Sequence, residues 1–300
     1  MGQVRAQAGL GLSFEPGGTS ESQQSSYAFN LALAWIIDEE PDSLAKATSL
    51  LSQAGDFDTD WDTFGWTWGG DMLNYAYAYD FIAASLSPED NETILAKLAA
   101  AVAKTMENLP KPVTSGGFFY IVNVRLRIDG GVGALSAAMN GYGSSDASFA
   151  YVLEDLFGVA HQRPDLPGRY VTRCVTETGT YNEGPSYQND AFSVLLPFLL
   201  ITKRLTGGDY LTGEGVPPPL ATDGRIARMW EHDVRITMPD LDTGTFDTGW
   251  QTSLTFTAVA AAALGPERGA EVWNRCWGSC NRPMSWRSAP VANSWSFIRS

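Results

Sequence analysis

The sequence predicts an all-α protein built as an (α/α) toroid, which is an incomplete barrel of antiparallel helical hairpins. Three observations support this fold class. Apolar residues recur at three- and four-residue steps, no segment of five or more residues alternates like a strand, and short links join consecutive helices. The chain also lacks a repeat of fixed period, which favours a toroid over a regular solenoid.

Length and composition are consistent with one large globular domain. The chain has 300 residues, of which 44% are hydrophobic and only 18% are charged, so it can form a sizeable core and is not a disordered or coiled-coil sequence. We expect a loop over residues 1–25 and a single toroid domain over residues 26–300, with no β-sandwich domain in this chain.

Apolar spacing and capping signals predict the helices in the first half of the chain. Ser87-Pro88-Glu89-Asp90 combines a capping serine with acids in the first turn, so a helix begins there, and two prolines end it after residue 108. Glycines and aromatic residues make residues 56–70 too irregular for a helix. The other predicted helices in this half cover residues 26–37, 41–51, 72–86, 120–140 and 145–157.

In the second half, the clearest helix begins at Gly184-Pro185. Proline suits the first turn of a helix, where its missing N–H has no partner in any case. One buried face is predicted from the spacing of Ala191, Val194, Leu195, Phe198, Leu199 and Thr202. The remaining predicted helices cover residues 168–177, 222–236, 250–264 and 268–277.

Tyr187 falls in the first turn of the helix that begins at Gly184, and Glu183 lies just before that helix. One interpretation makes Tyr187 a general acid or base with a carboxylate nearby. The alternative is that Tyr187 packs in the core and Glu183 caps the helix. The sequence alone leaves both interpretations open.

Polar residues interrupt the apolar segment YIVNVRLRIDGG, residues 120–131. In a helix Asn123 and Arg127 share a face, while Arg125 points elsewhere. Amide and guanidinium groups are donors suited to binding a carboxylate, so these three residues are candidates for substrate binding or catalysis. The alternative is the surface-facing edge of a helix. The glycines that follow predict close approach of another helix or of a ligand.

Two loops rich in aromatic and acidic residues are candidate sugar-binding surfaces. Trp66 and Trp68 lie in DFDTDWDTFGWTWGG, and Trp250 ends FDTGW at 246–250. Flat rings in such loops can stack on sugar faces, although core packing is the alternative. Alternate aspartates in the first loop lack the glycine and the closing glutamate of a calcium loop, so we predict no metal site. His232 is a candidate base or hydrogen-bonding residue, with a structural role as the alternative.

Net charge, apolar runs and sequence motifs limit the classes of partner and cofactor that the protein can bind. A net charge of −14 disfavours a nucleic-acid partner, no run approaches membrane-spanning length, and no apolar signal-peptide core is present near residue 1. The three cysteines (Cys174, Cys276 and Cys280) do not form a disulfide framework. No phosphate-binding or dinucleotide-binding glycine motif occurs, and we predict no cofactor. The oligomeric state and the compartment are not indicated by these features.

Several of these strings together resemble a known family. YNEGPSYQNDAFSVLLPFLLITKRLTGGDYL resembles the segment around the catalytic tyrosine of heparinase II/III-like polysaccharide lyases and related alginate lyases, which carry an E-G-P-x-Y motif before a long helix. LNYAYAYDFIAASLSPED is similar to their A-Y-A-Y-D helix, NVRLRIDGGVGALSAAM to their N-H-N…N-G-G segment, and ITMPDLDTGTFDTGW to a later loop. The resemblance covers about residues 27–265.

The resemblance implies a toroid that cleaves a uronic-acid polysaccharide by β-elimination. It implies that Asn123 neutralises the substrate carboxylate and that Tyr187 is the acid, alone or also as the base. Val124 stands where the family has a histidine, so His232 is a second candidate base. The resemblance also suggests a periplasmic or secreted location. Residues predicted to contact the saccharide are Glu183, Asn189, Arg127, Trp66, Trp68 and Trp250.

Two other functions remain open at this point. A toroid glycoside hydrolase would use two carboxylates, and the acids that the sequence offers are Glu183, Asp190, Asp129 and Asp247. A toroid that binds a glycan without cleaving it is suggested by Val124 and by the lack of the β-sandwich domain that many members of the family carry.

Overall fold

The computed structural model describes residues 2–16, 21–55, 61–109, 122–158, 170–182, 184–218, 220 and 222–236. Ten α-helices and one single-turn 3-10 helix, Ala83–Ser85, lie in these ranges. The α-helices are α1 (Gly2–Leu12), α2 (Glu21–Asp38), α3 (Pro41–Leu51), α4 (Trp61–Ile82), α5 (Pro88–Asn108), α6 (Val122–Ala138), α7 (Ser145–Phe157), α8 (Tyr170–Cys174), α9 (Gly184–Thr206) and α10 (Arg225–Ile236). The described residues contain two isolated β-bridges and no strand, which confirms the all-α class.

The chain divides into two compact units, Met1–Leu153 and Glu154–Ser300, and the division falls inside α7. In the first unit α4 packs against both α2 and α6, and α1 and α3 pack against α2. The toroid arrangement and the single domain over residues 26–300 stay predictions. The helices predicted over residues 250–264 and 268–277 lie outside the described residues.

Helices with strong local signals begin where the sequence predicts. The Ser87 hydroxyl accepts a hydrogen bond from the backbone N–H of Asp90 at 3.1 Å, and Pro88 is the first residue of α5. The α7 helix has the predicted bounds, and α9 begins at Gly184. The six residues predicted for the inner face of α9 are all buried.

The prediction of a loop over residues 1–25 is wrong, because α1 occupies Gly2–Leu12 and α2 already begins at Glu21. The first of these helices is stabilised by its neighbours. The Arg5 guanidinium forms two hydrogen bonds with the Asp38 carboxylate, of 2.6 and 2.9 Å, and a Cβ atom on Gly11 would lie 3.0 Å from Leu31 Cδ1. Contacts with another helix stabilise a segment whose own sequence has little helical periodicity.

The prediction that residues 56–70 are too irregular for a helix is wrong for residues 61–70, which form the first turns of α4. Residues 56–60 lie outside the described residues. Trp68 is buried, and its indole N–H donates a hydrogen bond of 2.9 Å to Thr105 Oγ1 on α5. Burial of this large ring stabilises a segment in which aromatic residues and glycines lower the helix propensity.

Helices α4 and α6 approach each other almost backbone to backbone. A Cβ atom on Gly69 would lie 2.1 Å from the carbonyl oxygen of Arg127, and one on Gly131 would lie 2.2 Å from the carbonyl oxygen of Gly69. Only glycine fits at either position. The close helix approach predicted from the glycines after Arg127 is therefore confirmed, and α4 is the helix that approaches.

Candidate functional site

Asn123 and Arg125 are buried within the first unit, with 0% and 2% of their surfaces exposed. The Arg125 guanidinium binds two groups. Its Nε lies 3.2 Å from Asp129 Oδ2, and its Nη1 donates a 2.8 Å hydrogen bond to the carbonyl oxygen of Leu109, where α5 ends. Arg125 therefore holds α6 to the end of α5.

This arrangement bears on the predictions for both residues. The alternative prediction, that these residues form the surface-facing edge of a helix, is wrong because α6 is buried at these positions. The Arg125 guanidinium is buried in an ion pair with Asp129, and its catalytic role stays a prediction. Asn123 has no exposed surface to offer a substrate carboxylate. Asp129, named as a candidate hydrolase carboxylate, is the buried partner of Arg125.

Arg127 differs from Arg125 because its side chain is partly exposed. It lies one helical turn beyond Asn123 on the same face of α6. A Cβ atom on Gly70 would lie 3.1 Å from Arg127 Nη2, so the glycine leaves room for the guanidinium beside α4. Burial raises the pKa of the Asp71 carboxyl group, and the positive charge of Arg127 partly opposes that rise. Of the two arginines, Arg127 is the more exposed.

A group of polar residues near Arg127 has no counterpart in the sequence predictions. We call it the Asp71 cluster, and it consists of Glu21, Ser22 and Ser25 on α2 and Asp71, Asn74 and Tyr75 on α4. Ser25 Oγ donates to Asp71 Oδ1 at 2.8 Å, and Ser22 Oγ donates to Asp71 Oδ2 at 3.1 Å. Asn74 Nδ2 donates to Ser25 Oγ at 3.3 Å, and the Tyr75 hydroxyl donates to Glu21 Oε1. A chain of hydrogen bonds thus joins the two helices.

Burial perturbs the ionisable groups of the Asp71 cluster. Desolvation raises the pKa of the Asp71 carboxyl, although hydrogen bonds from Ser25, Ser22 and Thr67 and the charge of Arg127 partly oppose the rise. Burial, together with the charge of Glu21, raises the pKa of the Tyr75 hydroxyl well above its ordinary value. Tyr75 therefore keeps its proton and remains a donor to Glu21. The sequence contained one indication of this cluster, because Asp71 and Tyr75 are four residues apart and therefore lie on one helix face.

In the second unit a tight backbone hairpin leads into α9 and Tyr187. Val175 and Tyr181 form an antiparallel bridge, and the N–H of Asn182 donates to the carbonyl oxygen of Cys174 at 2.8 Å. Gly179 at the tip has φ +91, and a Cβ there would lie 2.4 Å from the carbonyl oxygen of Arg228 on α10. The glycine therefore allows both the turn and its contact with α10.

Two arginines of α10 bind this hairpin through its carbonyl groups. Arg225 Nη1 donates to the carbonyl oxygens of Val175 at 2.8 Å and Thr172 at 3.2 Å, and Arg228 Nε donates to that of Glu177 at 2.7 Å. Asp223 accepts hydrogen bonds from Arg225 Nε at 2.9 Å and Nη2 at 2.8 Å, which orients that guanidinium. These contacts fix the hairpin that precedes Tyr187.

Aromatic contacts complete the packing of this region. The ring of Phe192 on α9 lies edge-on to Tyr181 of the hairpin, with 6.3 Å between centroids, and to Trp230 of α10, with 5.3 Å. The hairpin, α9 and α10 therefore share one core. Tyr187 is partly exposed above it in the first turn of α9, as predicted, and the next residue, Gln188, is buried.

The structure describes most of the other predicted site residues. Asn189 and His232 are partly exposed, so both are accessible in the second unit. Trp68 is only 2% exposed and lies in the core, which favours the core-packing alternative, and its contact with a sugar stays a prediction. Glu183, the side chain of Trp66, and Trp250 lie outside the described residues, as do Asp247, Cys276 and Cys280.

The predicted site residues fall into two groups. Asn123, Arg125, Arg127 and Trp68 belong to the first unit, and Tyr187, Asn189 and His232 belong to the second. Among the described residues, no three histidine, cysteine, aspartate or glutamate side chains are grouped so that they could bind a metal ion. Cys174 is a buried free thiol whose Sγ–H donates to the carbonyl oxygen of Tyr170 at 2.6 Å.

Comparisons with known proteins add no functional assignment. No model of a known protein family matches the chain, and no curated protein matches it either. Within the described residues, none of the helices has the length and apolar character needed to cross a membrane.

Proposed function

We propose that this protein is a polysaccharide lyase with an (α/α) toroid fold, which cleaves a uronate-containing anionic polysaccharide by β-elimination. The observation that carries the proposal is the position of Tyr187. Its partly exposed phenol lies in the first turn of the long helix α9, after Gly184-Pro185, which is the setting that the E-G-P-x-Y resemblance implies. The N-terminus of a helix also favours nearby anionic groups, such as the carboxylates of a uronate polymer.

The reaction needs a base, an acid and a group that binds the substrate carboxylate. The base removes the C5 proton, the electron pair of that C–H bond forms the C4–C5 double bond, and the C4–O4 bond breaks. The acid then protonates the leaving O4. In this proposal Tyr187 carries the proton from C5 to O4, so that it serves as both base and acid. His232, which is partly exposed in the same unit, is the second candidate base.

Arg127, in the first unit, is the residue that we propose for binding a carboxylate of the polymer. Arg127 is partly exposed, whereas Asn123 and Arg125 are buried. A guanidinium forms paired hydrogen bonds with a carboxylate.

A spectrophotometric assay tests the proposal. Purified protein is mixed separately with alginate, heparin, chondroitin sulfate, hyaluronan and pectate, and the ultraviolet absorbance of the new double bond is followed. We expect absorbance to rise with at least one polymer. Tyr187→Phe should abolish the rise, because the variant lacks the oxygen that carries the proton.

Tyr142→Phe is the matched control. It removes another partly exposed phenol oxygen, one that donates to Glu92 at 2.6 Å in the first unit, and it should leave the rate unchanged. No rise with any polymer would refute lyase activity. Release of reducing ends without absorbance would instead indicate a glycoside hydrolase, and binding without any product would indicate a non-catalytic glycan-binding protein.

A further inference from the structure

The Asp71 cluster combines a buried layer with a partly exposed rim. Ser25, Asp71 and Tyr75 are 0%, 4% and 1% exposed, and they form the buried layer. Glu21, Ser22 and Asn74 are partly exposed and form the rim, with the partly exposed Arg127 beside them. The buried groups hydrogen-bond to the rim groups, so the rim side chains are held in defined orientations.

Two of the rim residues, Ser22 and Asn74, have hydrogen-bonding capacity that the described residues do not use. One amide N–H of Asn74 donates a hydrogen bond to Ser25 Oγ. The side-chain carbonyl oxygen of Asn74 accepts no hydrogen bond in the described part of the chain. Ser22 donates its only hydroxyl proton to Asp71, which leaves its oxygen lone pairs as acceptors. A ligand that both donates and accepts hydrogen bonds would fit this rim.

Purely structural reasons account poorly for such a cluster. Enclosing a carboxyl group costs several kcal/mol before its hydrogen bonds compensate, and apolar side chains of similar volume often stabilise a core as well or better. Ionisable groups that are buried despite this free-energy cost are concentrated at binding and catalytic sites. The neighbouring Arg127 and the small number of carboxylates argue against a metal ion as the ligand.

We propose that the Asp71 cluster is a saccharide subsite, in which Glu21, Ser22 and Asn74 bind ring hydroxyls of a uronate-containing glycan while Arg127 binds a carboxylate of the same glycan. Sugar hydroxyls both donate and accept, which matches a rim of one carboxylate, one hydroxyl and one amide. The buried Ser25–Asp71 pair fixes Asn74 and Ser22, and Tyr75 fixes Glu21. The choice of glycan rests on the proposed function.

A binding experiment tests the subsite separately from catalysis. The full chain carrying Tyr187→Phe is titrated calorimetrically with tetrasaccharides of alginate, hyaluronan and pectate. Asn74→Ala and Glu21→Gln are then added to this background. Each should raise Kd about tenfold for the tetrasaccharide that binds, which corresponds to about 1.4 kcal/mol.

Asn30→Ala is the control on the same helix. Asn30 is partly exposed on α2, its amide donates to the carbonyl oxygen of Ser26, and it lies nine residues beyond Glu21, or roughly 13 Å along the axis. It should leave Kd unchanged. Circular dichroism and thermal unfolding check that each variant is folded. If Glu21→Gln does not fold after losing the charged partner of Tyr75, the partly exposed Asn74 variant decides the outcome.

The two proposals fail in different ways. Unchanged affinity in a folded Asn74→Ala variant overturns the subsite, even where the wild-type protein cleaves a polymer. Absence of binding to every tetrasaccharide overturns it as well. Binding that depends on Asn74 and Glu21, in a wild-type protein that produces no ultraviolet absorbance, supports the subsite and refutes the lyase.

Discussion

The buried carboxyl group of Asp71 makes the stability of the protein depend on pH. Burial raises its pKa above the ordinary value of 3.8. The unfolded chain therefore loses this proton at a lower pH than the folded protein does, so the folded state binds more protons between the two values. The stability that Asp71 contributes is fully present below pH 3.8 and is lost as the pH rises through the raised value.

We therefore predict that Asp71→Asn stabilises the protein at about pH 7, by on the order of 1 kcal/mol. The amide carries no charge to desolvate, and the Ser22 or Ser25 hydroxyl can turn to accept from it. The gain should shrink as the pH falls towards about 4, where the wild-type carboxyl is also neutral. Urea unfolding at both pH values measures it.

Asp80→Asn is the control for this prediction, because Asp80 lies on the same helix but is exposed. It should change the stability at about pH 7 by less than Asp71→Asn does, within roughly 0.5 kcal/mol of wild type. A loss of stability in Asp71→Asn at that pH would mean that the ionised carboxylate and its two serine donors stabilise the fold.

At the scale of single residues, Arg125 and Arg127 show what the sequence could and could not predict. Their spacing predicts different helix faces, and the structure places one in the core and the other at partly exposed surface. Spacing alone does not say which face is buried, because that depends on where α4 and α5 pack. Asp129, four residues after Arg125, was a signal for an ion pair within the helix. This spacing distinguishes Arg125, which has an acidic partner on its own helix, from Arg127.

At the scale of elements, the crossing of α4 and α6 depends on two glycines. We predict that Gly69→Ala destabilises the protein by about 3 kcal/mol, because its Cβ would lie 2.1 Å from a backbone oxygen that cannot move alone. The gain in helix propensity, about 1 kcal/mol, offsets only part of this cost. Chemical denaturation measures the difference.

Gly9→Ala in α1 is the matched control, because Gly9 is exposed and a Cβ there would meet nothing within 4 Å. This variant should keep or raise the stability by up to about 1 kcal/mol. If Gly69→Ala proved as stable as Gly9→Ala, the backbone contact between α4 and α6 would be looser than described.

Local signals and contacts with partner helices explain which helices the sequence predicted well and which it did not. The start of α5 follows from the Ser87 cap and α9 from Gly184-Pro185, and both signals are local. Helix α1 and the first turns of α4 were missed because partner helices stabilise them. The Arg5–Asp38 ion pair and the burial of Trp68 against Thr105 join residues that are 33 and 37 positions apart. Such contacts leave no periodic pattern in the chain.

At the scale of the whole molecule, charge limits how fast a polyanionic substrate can arrive. The protein carries 34 acidic and 20 basic side chains, for a net charge of −14. A uronate polymer, the substrate that we propose, would therefore meet long-range repulsion as it approaches the protein. Screening extends over about 30 Å at an ionic strength of 0.01 M and about 8 Å at 0.15 M, so salt should weaken this repulsion.

If the protein is a lyase, we predict that kcat/KM for the polymer rises several-fold between about 0.01 and 0.15 M sodium chloride, while kcat changes little. Salt acts on the encounter of two negatively charged molecules rather than on the proton transfer at Tyr187. Initial rates of ultraviolet absorbance, measured below and above KM, separate the two constants. A short substrate carrying fewer carboxylates should respond less. A fall in kcat/KM with salt would contradict the prediction, because it would mean that local attraction by cations such as Arg127 outweighs the repulsion from the whole protein.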